Sequence, residues 1–342
     1  MTFSTEPTTL LITGGAGYIG SHTCVALQEA GYRLVVLDNY CNSSADMLKR
    51  IERITGQAVV GVRGDVRDRE GLDRLLREHP IEGVIHFAGL KAVGESTEKP
   101  LDYYANNVVG SMVLLQAMQA AGVRTIVFSS SATVYGAPRF LPYTESHPLA
   151  PVNPYGRTKL MVEDILRDLH ASDPAWRIGI LRYFNPVGAH ISGLIGEDPL
   201  GVPNNLMPYI AQVATGRRPF LNVWGNDYDT ADGTGVRDYI HVSDLAAGHV
   251  KTLQHLQKAP GCLTLNLGSG QGHSVLEVIR AFEQASGQPI PHQFGPRRSG
   301  DLPAFWADAA PAGNILGWQA QCSLLRMCED TWRFQTQSAA PA

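Results

Sequence analysis

A tyrosine and a lysine, Tyr155 and Lys159, stand four positions apart directly after Pro154. Residues at i and i+4 of a helix lie on one face with Cβ atoms about 5 to 6 Å apart, so the two side chains can act together. A free phenol has a pKa near 10, and a cation about 4 Å away at an effective dielectric of about 20 is worth roughly 4 kcal/mol, or about three pK units. The spacing therefore predicts that Lys159 moves the Tyr155 pKa towards neutral, where a phenolate acts as a base.

A tyrosine and a lysine at this spacing also occur by chance in unrelated helices. A second feature makes a chance occurrence less plausible. The polar segment SSSATVYG, residues 129 to 136, follows at the end of the apolar run Thr125 to Ser129. Ligands of a parallel sheet bind at the carboxyl ends of its strands. We therefore group Ser131 with the tyrosine and the lysine as candidate catalytic residues.

A second pattern, GGAGYIG, follows the apolar run Thr9 to Thr13, and the residues after it read as a helix. Gly14 and Gly17 would let the backbone approach a pyrophosphate, Gly20 would let the helix pack on the strand, and the helix N-terminus would offer N–H groups to the anion. Asp38 ends the next strand and would accept hydrogen bonds from the ribose hydroxyls. The 2′-phosphate of NADP would face that carboxylate, and no arginine stands beside it to bind the phosphate, so the pattern favours NAD over NADP. The alternative interpretation of the glycine pattern is a turn that binds no ligand.

The elements that position these residues alternate along the chain. The predicted strands are Thr9 to Thr13, Arg33 to Leu37, Ala58 to Val62, Gly83 to Phe87, Thr125 to Ser129, Arg177 to Leu181, Val236 to Val242 and Leu263 to Leu267. The predicted helices are Ser21 to Ala30, Arg69 to Glu78, Leu101 to Ala121 and Tyr155 to Leu169. Continuous apolar strands separated by helices are typical of a parallel sheet covered on both faces.

The predicted fold class is therefore α/β, a Rossmann-type doubly wound parallel sheet with a smaller C-terminal α/β substrate domain. We assign residues 1–184, with strand segments from about 236–268, to the NAD-binding domain. The ranges 185–235 and 269–335, where glycines and prolines dominate, form the predicted substrate domain.

Composition narrows the classes of function. The 342 residues carry a net charge of -4 without a basic stripe, which argues against nucleic acid as a partner. No run of about eighteen apolar residues predicts a membrane span, and the eleven histidines show no metal-ligand spacing, so no metal is expected. Five cysteines without a C-x-x-C pair fit a reducing cytoplasm.

Five motifs together carry a resemblance: TGGAGYIG, HFAGLKAVGES, FSSSATVYG, NPYGRTK and LRYFNPVGAH. From Leu10 to about Trp332 the chain resembles the extended short-chain dehydrogenase/reductase superfamily and, within it, the UDP-glucose 4-epimerase family. The resemblance implies tightly bound NAD, the substrates UDP-glucose and UDP-galactose, and a homodimer formed in part by the Leu101 to Ala121 and Tyr155 to Leu169 helices.

The resemblance also implies roles for individual residues. Ser131 would hydrogen-bond the sugar 4-oxygen, Tyr155 would take its proton, and Lys159 would hold the nicotinamide ribose and the tyrosinate, with the oxidised nicotinamide adding to the activation. The implied cofactor contacts are Gly14, Gly17, Tyr18, Ile19, Gly20, Asp38, Asn39, Asp65, Val66, Phe87, Ala88, Lys91, Asn106, Ser131, Tyr155, Lys159, Tyr183 and Phe184. The implied substrate contacts are Thr133, Asn185, Asn204, Asn205, Leu206, Asn222, Trp224, Arg237, Tyr239, Arg298, Asp301 and Phe305.

By the same resemblance, hydride passes from the sugar C4 to NAD, and the 4-keto sugar turns about its diphosphate before the hydride returns. Phe305 stands where the family has a bulky residue in members that reject N-acetylated UDP-sugars; packing alone is the alternative role. A sugar-nucleotide 4,6-dehydratase would need Asp-Glu after the catalytic serine or threonine, where this chain has Ala132 and Thr133. A non-catalytic NAD-sensing module remains the alternative from a different class.

Overall fold

The structure is a computed structural model that describes residues 7–199, 203, 205–298 and 300–338. Its strands are β1 (Thr9–Thr13), β2 (Arg33–Asp38), β3 (Val60–Arg63), β4 (Ile81–His86), β5 (Thr125–Ser131), β6 (Arg177–Tyr183), β7 (Asn185–Val187), β8 (Leu221–Trp224), β9 (Val236–His241), β10 (Cys262–Leu267), β11 (Gly272–Ser274), β12 (His292–Gly295) and β13 (Ala304–Phe305). Its α-helices are α1 (Tyr18–Glu29), α2 (Asp46–Thr55), α3 (Arg69–Glu78), α4 (Val93–Glu98), α5 (Pro100–Tyr103), α6 (Gly110–Ala120), α7 (Pro154–Ser172), α8 (Leu206–Ala214), α9 (Val242–Lys258), α10 (Val275–Ser286), α11 (Ala310–Leu316) and α12 (Leu324–Ser338).

Seven strands form one sheet in the order β10-β6-β5-β4-β1-β2-β3. The pairs joining β3, β2, β1, β4 and β5 are parallel, and every residue of β1 is buried. The chain runs outward from β1 to β3 and then returns to β4 on the other side of β1. That reversal leaves a crevice at the carboxyl ends of β1 and β4, which is the place where doubly wound folds bind ligands. The predicted fold class is confirmed.

The chain divides into two compact units. The first runs to Gly136 and includes Leu149–Arg182 and Ala246–Leu265; the second contains Ala137–Pro148, Tyr183–Leu245 and the chain from Asn266 onward. The first unit has its core between the sheet and helices α3, α6 and α7, around side chains such as Leu72, Leu114 and Leu166. The second has a separate core around Ile210, Ile279 and Phe282.

The sequence assigned the strand Val236 to Val242 to the first domain, and this assignment is wrong. Strand β9 pairs with β11, β13 and β7 in a smaller sheet of the second unit, which also contains the two-stranded pair β12-β8. In contrast, β10 joins the seven-stranded sheet as predicted. Hydrophobic periodicity identifies a strand but does not show which strand it pairs with. The polar residues of VRDYIH are compatible with either sheet.

The long helix predicted from Leu101 to Ala121 is interrupted. Between α5 and α6 the segment Tyr104–Val109 forms a π-helical turn. Within it, Asn107 turns its side chain inwards to hydrogen-bond the backbone of Leu90 and the Thr158 hydroxyl. Such turns insert an extra residue into a helix and often lie at functional sites. None of the helices described here has the length and apolar character needed to cross a membrane.

Candidate active site

The glycine pattern forms the turn between β1 and α1. Gly14 has φ +71 and lies so close to the next crossover that a Cβ there would stand 2.8 Å from the Ala88 backbone nitrogen. A Cβ on Gly20 would collide with the Gly14 carbonyl oxygen. Gly17 is the N-cap of α1 and has no side chain to make a capping hydrogen bond. The N–H groups of the first turn of α1 therefore receive no side-chain acceptor from the N-cap. The turn therefore has the shape and the N–H donors of an anion cradle.

Asp38 lies at the end of β2 and is nearly buried at 7% exposure. Its Oδ2 accepts from the Ala16 nitrogen at 3.0 Å, and its Oδ1 accepts from the Tyr40 nitrogen at 2.8 Å and the Ser43 hydroxyl at 2.9 Å. The carboxylate is thus held at the edge of the glycine turn, where its remaining acceptor capacity suits ribose hydroxyls. No arginine stands beside Asp38 in the sequence. The pairing of β2 with β3, however, places Arg63 opposite Asp38, and the sequence alone did not show this pairing.

Further predicted cofactor residues surround this crevice. Asn39 donates to the Asp65 carboxylate at 3.1 Å, and Arg67 holds the same carboxylate with two 2.8 Å hydrogen bonds. The Arg67 contacts hold the pKa of Asp65 well below its usual range. Val66 is buried next to it. Arg67 is a residue that the sequence analysis missed, because its position beside Asp65 has no motif of its own.

The crossover after β4 reaches the glycine turn directly. The backbone nitrogens of Phe87 and Ala88 donate to the Thr13 carbonyl at 2.9 and 3.0 Å. Asn107 then accepts from the Leu90 nitrogen at 2.8 Å and fixes the loop that ends at Lys91. The predicted Asn106 lies in the same π-helical turn, with its amide donating to Asn107. Asn107 was not predicted, because the sequence indicated an uninterrupted helix there and the π-helical turn is visible only in the structure.

Two elements, β5 and α7, bring the predicted catalytic residues together. Ser131 ends β5, and α7 begins at Pro154 with Asn153 as a side-chain cap that accepts from the Gly156 nitrogen at 2.8 Å. This start places Tyr155 and Lys159 on the helix face that turns towards β5. The Ser131 hydroxyl accepts from the Thr133 nitrogen at 3.2 Å and from the Thr133 hydroxyl at 3.0 Å.

The ionisation of the pair differs from the simple expectation. Burial raises the pKa of Tyr155 to about 12, and a hydrogen bond with Ser131 acts in the opposite direction. The Lys159 ammonium lies 5.8 Å from the Tyr155 ring centroid and donates to the Ser129 carbonyl at 2.6 Å. Burial lowers the pKa of Lys159 to about 8. With the groups of the protein alone, the Tyr155 phenol is therefore a weak acid. That the pKa of Tyr155 moves towards neutral pH stays a prediction, and it includes the charge of an oxidised nicotinamide.

The second unit carries the other predicted residues. Tyr183 and Phe184 are buried at the end of β6, and Tyr239 is buried in β9. Asn185 begins β7, and its Oδ1 is buried with no hydrogen-bond partner among the residues described. A buried acceptor without a partner is costly, so this atom is suited to a ligand donor. Asn205 caps α8, where Leu206 is the first residue, and Asn204 lies outside the described part of the chain.

Two predicted arginines of this unit stack on aromatic rings. The Arg237 guanidinium lies 4.7 Å from the Phe305 ring centroid, and its Nη2 lies 3.5 Å from an Asp301 oxygen. The Arg298 guanidinium lies 5.2 Å from the Trp224 ring, whose strand β8 also carries Asn222. Stacked guanidiniums keep their planar N–H forks for phosphate oxygens.

Tyr228 was not predicted as a site residue. It is buried, and its hydroxyl has no partner within the described residues. The Arg297 guanidinium lies 4.3 Å from its ring. No motif in the sequence marked this tyrosine, since its significance depends on burial.

Known proteins place this arrangement in a family. The family model described as GDP-mannose 4,6 dehydratase matches residues 11–331. A UDP-glucose 4-epimerase of Yersinia pestis is 59% identical over 330 residues, which cover 96% of this chain and 98% of that protein. Among solved structures, UDP-glucose-4-epimerase from Stenotrophomonas maltophila with bound NAD and formylated UDP-arabinopyranose matches with a TM-score of 0.96 at 55% identity, covering 97% of this chain and 99% of that one.

The Bifidobacterium longum UDP-glucose 4-epimerase, solved in complex with NAD+ and UDP, matches with a TM-score of 0.93 at 54% identity and covers 96% of this chain and 98% of that one. The similarity in these relatives extends over both compact units and all five motifs of the sequence. With identities above one half over nearly the full length of each chain, this chain belongs to the UDP-glucose 4-epimerase family of the extended short-chain dehydrogenases/reductases.

Proposed function

We propose that this chain is an isomerase that interconverts UDP-glucose and UDP-galactose by inverting the configuration at C4 of the sugar, with NAD bound throughout. The observation that carries the proposal is the grouping of Ser131, Tyr155 and Lys159 at the end of β5. A serine, a tyrosine and a lysine in this arrangement suit the removal and return of a hydroxyl proton. Relatives that share more than half of the sequence carry the same function in their names.

The residues present fit NAD. The turn at Gly14 leaves no room for a side chain, α1 begins without a side-chain cap, and Asp38 offers acceptors beside both. Phe87 and Ala88, which follow β4, and Asn106 in the π-helical turn would add further contacts to the cofactor. When bound, NAD would supply a reversible acceptor for the hydride of the sugar C4, so the cofactor would be regenerated in every turnover.

The side chains of the first unit manage the proton. Tyr155 as phenolate removes the proton of the 4-hydroxyl, and the Ser131 hydroxyl hydrogen-bonds the same oxygen. The Lys159 ammonium stabilises the phenolate by its charge. After the 4-keto sugar has turned, Tyr155 returns the proton to the 4-oxygen, and the product has the opposite configuration.

The side chains of the second unit are proposed to hold the nucleotide. Arg237 and Arg298 would grip the diphosphate, Asp301 would accept from the uridine ribose, and the unpaired Asn185 Oδ1 would receive a ligand donor. Asn205, Leu206, Asn222, Trp224 and Tyr239 complete the proposed set. Strong contacts to the diphosphate and few to the sugar would let the 4-keto sugar turn without leaving.

The name of the matched family model raises a 4,6-dehydratase as the competing activity. That reaction eliminates water across C5 and C6 and needs an acid and a base beside the catalytic serine or threonine. The two residues after Ser131 are Ala132 and Thr133 in a short 3₁₀ turn, and neither can supply a carboxylate. The local chemistry therefore favours epimerisation.

The experiment is to purify the protein, add UDP-galactose without external cofactor, and follow the sugar by proton NMR. Appearance of UDP-glucose with no 6-deoxy product supports the proposal and shows that NAD has co-purified. Persistence of UDP-galactose even after NAD is supplied would contradict it and favour an NAD-sensing module. Tyr155→Phe is the matched control, because it removes one oxygen from the site.

We also propose a homodimer formed through α7 and the α5 to α6 segment, which carry exposed apolar side chains. Leu101 is 79% exposed, Val109 50% and Met161 43%, and α5 packs against α7 within the same unit. Exposed apolar surface of this kind marks interfaces. Leu101→Lys with Met161→Lys is expected to convert a dimer to a monomer in sedimentation velocity, whereas Val60→Lys on the edge strand β3 is not. A monomeric wild type would contradict this proposal.

The proposed compartment is the cytoplasm. All five cysteines are free thiols, and burial raises the pKa of Cys328 to about 12, which keeps that thiol unreactive. Subcellular fractionation of the tagged protein would test the assignment, and recovery from an oxidising compartment would contradict it.

A further inference from the structure

Glu163 is a fully buried carboxylate on α7, one helical turn after Lys159. Its Oε1 accepts from the Ser130 hydroxyl at 2.5 Å and from Arg182 Nε at 2.9 Å. Its Oε2 accepts from Arg182 Nη2 at 2.6 Å and from Arg167 Nη2 at 2.5 Å. Both oxygens are thus satisfied, and Arg182, only 1% exposed, adds a 3.0 Å hydrogen bond to the Tyr135 hydroxyl.

Stability is a poor reason for such a cluster. Burial of a charge costs several kcal/mol, and well-packed apolar side chains of similar volume are often as stable as a buried ion pair. Burial would raise the pKa of Glu163, but the Arg182 contacts hold the pKa below its usual value, so the group remains an anion. A permanent negative charge has therefore been kept in the interior next to the catalytic face of α7.

The hydrogen bonds connect Glu163 to the catalytic groups on both sides. Ser130 lies between Ser129, whose carbonyl oxygen accepts from Lys159 at 2.6 Å, and Ser131, which hydrogen-bonds Tyr155. By holding the Ser130 hydroxyl, Glu163 fixes the last residues of β5 against α7. A shift of this strand end would displace the Lys159 acceptor and the Ser131 hydroxyl together.

The charge of Glu163 also acts on Lys159. Three elements surround the ammonium. Glu163 and Tyr155 lie on α7, and the neutral His86 lies on β4. Strand β5 contributes the Phe128 ring, 4.9 Å from Nζ, and the carbonyl oxygen of Ser129. Burial lowers the pKa of Lys159, and the Glu163 carboxylate is the charge that raises it. Without that carboxylate, burial would drive Lys159 further towards the neutral amine.

We propose that Glu163 is a positioning residue for the epimerase reaction: through Ser130 and across one helical turn, its carboxylate holds Lys159 as an ammonium beside Tyr155. This inference rests on the proposed function. Glu163 contacts neither the sugar nor the cofactor; it acts through Lys159 and the end of β5.

The test reads Lys159 directly. The chain contains six lysines, so ¹³Cε-labelled lysine gives a simple NMR spectrum in which Lys159→Met identifies the Lys159 signal. Removing a nearby anion lowers the pKa of an ammonium, so in Glu163→Gln the titration midpoint of Lys159 is expected at least about one pH unit below that of the wild type. The alkaline limb of kcat for UDP-galactose is expected to move to lower pH with it, while KM changes less than about threefold.

Two controls separate this role from a structural one. Asp330→Asn removes a buried carboxylate of the second unit that pairs with Arg326, Arg333 and His241, and it is expected to leave the Lys159 midpoint unchanged. Glu163→Gln leaves the buried Arg182 without its carboxylate partner, and this variant could fail to fold for that reason. The double variant Glu163→Gln with Arg182→Met then serves in its place, because it removes both buried charges. The double variant is also expected to lower the midpoint, since it too lacks the carboxylate one helical turn from Lys159.

An unchanged Lys159 midpoint in a folded variant, single or double, would overturn the inference. If the wild type fails to epimerise UDP-galactose, the proposed function is wrong, yet the NMR titration still reports whether Glu163 controls Lys159. The two failures are therefore distinguishable.

Discussion

Lys159 donates a 2.6 Å hydrogen bond to the carbonyl oxygen of Ser129, the residue that lies two positions before the proposed catalytic serine, Ser131. The contact fixes the ammonium against the end of β5 and not against the Tyr155 hydroxyl. We therefore expect Lys159 to act on the phenol through its charge, at a distance set by the strand. In the same place, burial opposes ionisation of both groups, since it raises the pKa of Tyr155 and lowers that of Lys159.

Replacing the ammonium tests this relationship. In Lys159→Met we expect kcat to fall by about 10² to 10⁴-fold, because the buried phenol then loses the ammonium that would stabilise its ionised form. Steady-state kinetics with UDP-galactose across a range of pH measure the effect. Lys99→Met is the matched control, since Lys99 forms an exposed ion pair with Glu95, and such surface pairs contribute little to stability. An unchanged rate and pH profile in Lys159→Met would show that the lysine has no part in activation.

The glycine turn offers a pair of substitutions with different expected results. Gly14→Ala places a Cβ 2.8 Å from the Ala88 nitrogen at a positive φ, so we expect a loss of about 1 to 3 kcal/mol in the free energy of unfolding. At Gly17 the only contact of a Cβ is the Gly14 carbonyl oxygen at 3.3 Å, so Gly17→Ala is expected to fold normally but to retain less NAD. Urea unfolding and the NAD content of the purified protein measure the two effects. Full NAD retention in Gly17→Ala would place the pyrophosphate elsewhere.

Phe305 is expected to restrict the sugar. Its ring packs beneath Arg237 and lies 6.2 Å from the Phe184 ring centroid, so a smaller side chain would open space without removing a polar contact. In Phe305→Ser, kcat/KM for UDP-N-acetylglucosamine relative to UDP-galactose is expected to rise at least about tenfold. Phe140→Ser, which truncates an exposed ring, is the control. Comparable turnover of both substrates by the wild type would refute the restriction.

His86 makes stability depend on pH. It is buried between the Thr13 hydroxyl at 2.7 Å and the Ser111 hydroxyl at 2.8 Å, and burial lowers its pKa from 6.5 to about 3. Below pH 6.5 the unfolded chain binds a proton that the folded protein does not bind, so His86 removes stability as the pH falls from about 6.5 to about 3.

In His86→Gln we therefore expect a smaller decrease in the free energy of unfolding between pH 7 and pH 4.5 than in the wild type. Urea unfolding at several pH values measures it, and His292→Gln, at an exposed position, is the control. Parallel pH dependence in His86→Gln and the wild type would assign the acid sensitivity to other groups.

The patterns that are local in the chain were predictable from the sequence. The glycine turn, the acidic residue at the end of β2 and the tyrosine–lysine spacing all depend on geometry over fewer than ten residues, which sequence patterns report directly. Apolar runs identified most strands of the seven-stranded sheet. The candidate cofactor and catalytic positions could therefore be proposed before their surroundings were known.

What the tertiary structure decided depends on residues far apart in the chain. The partner strand of β9, the position of Arg63 opposite Asp38 and the burial of Glu163 against Arg182 leave no periodic or motif signal, because each requires two segments to meet. The direction of the Tyr155 pKa is the clearest case. The sequence shows a lysine four residues away, whereas the cost of burying a charge depends on the whole surroundings of the ring, which only folding assembles.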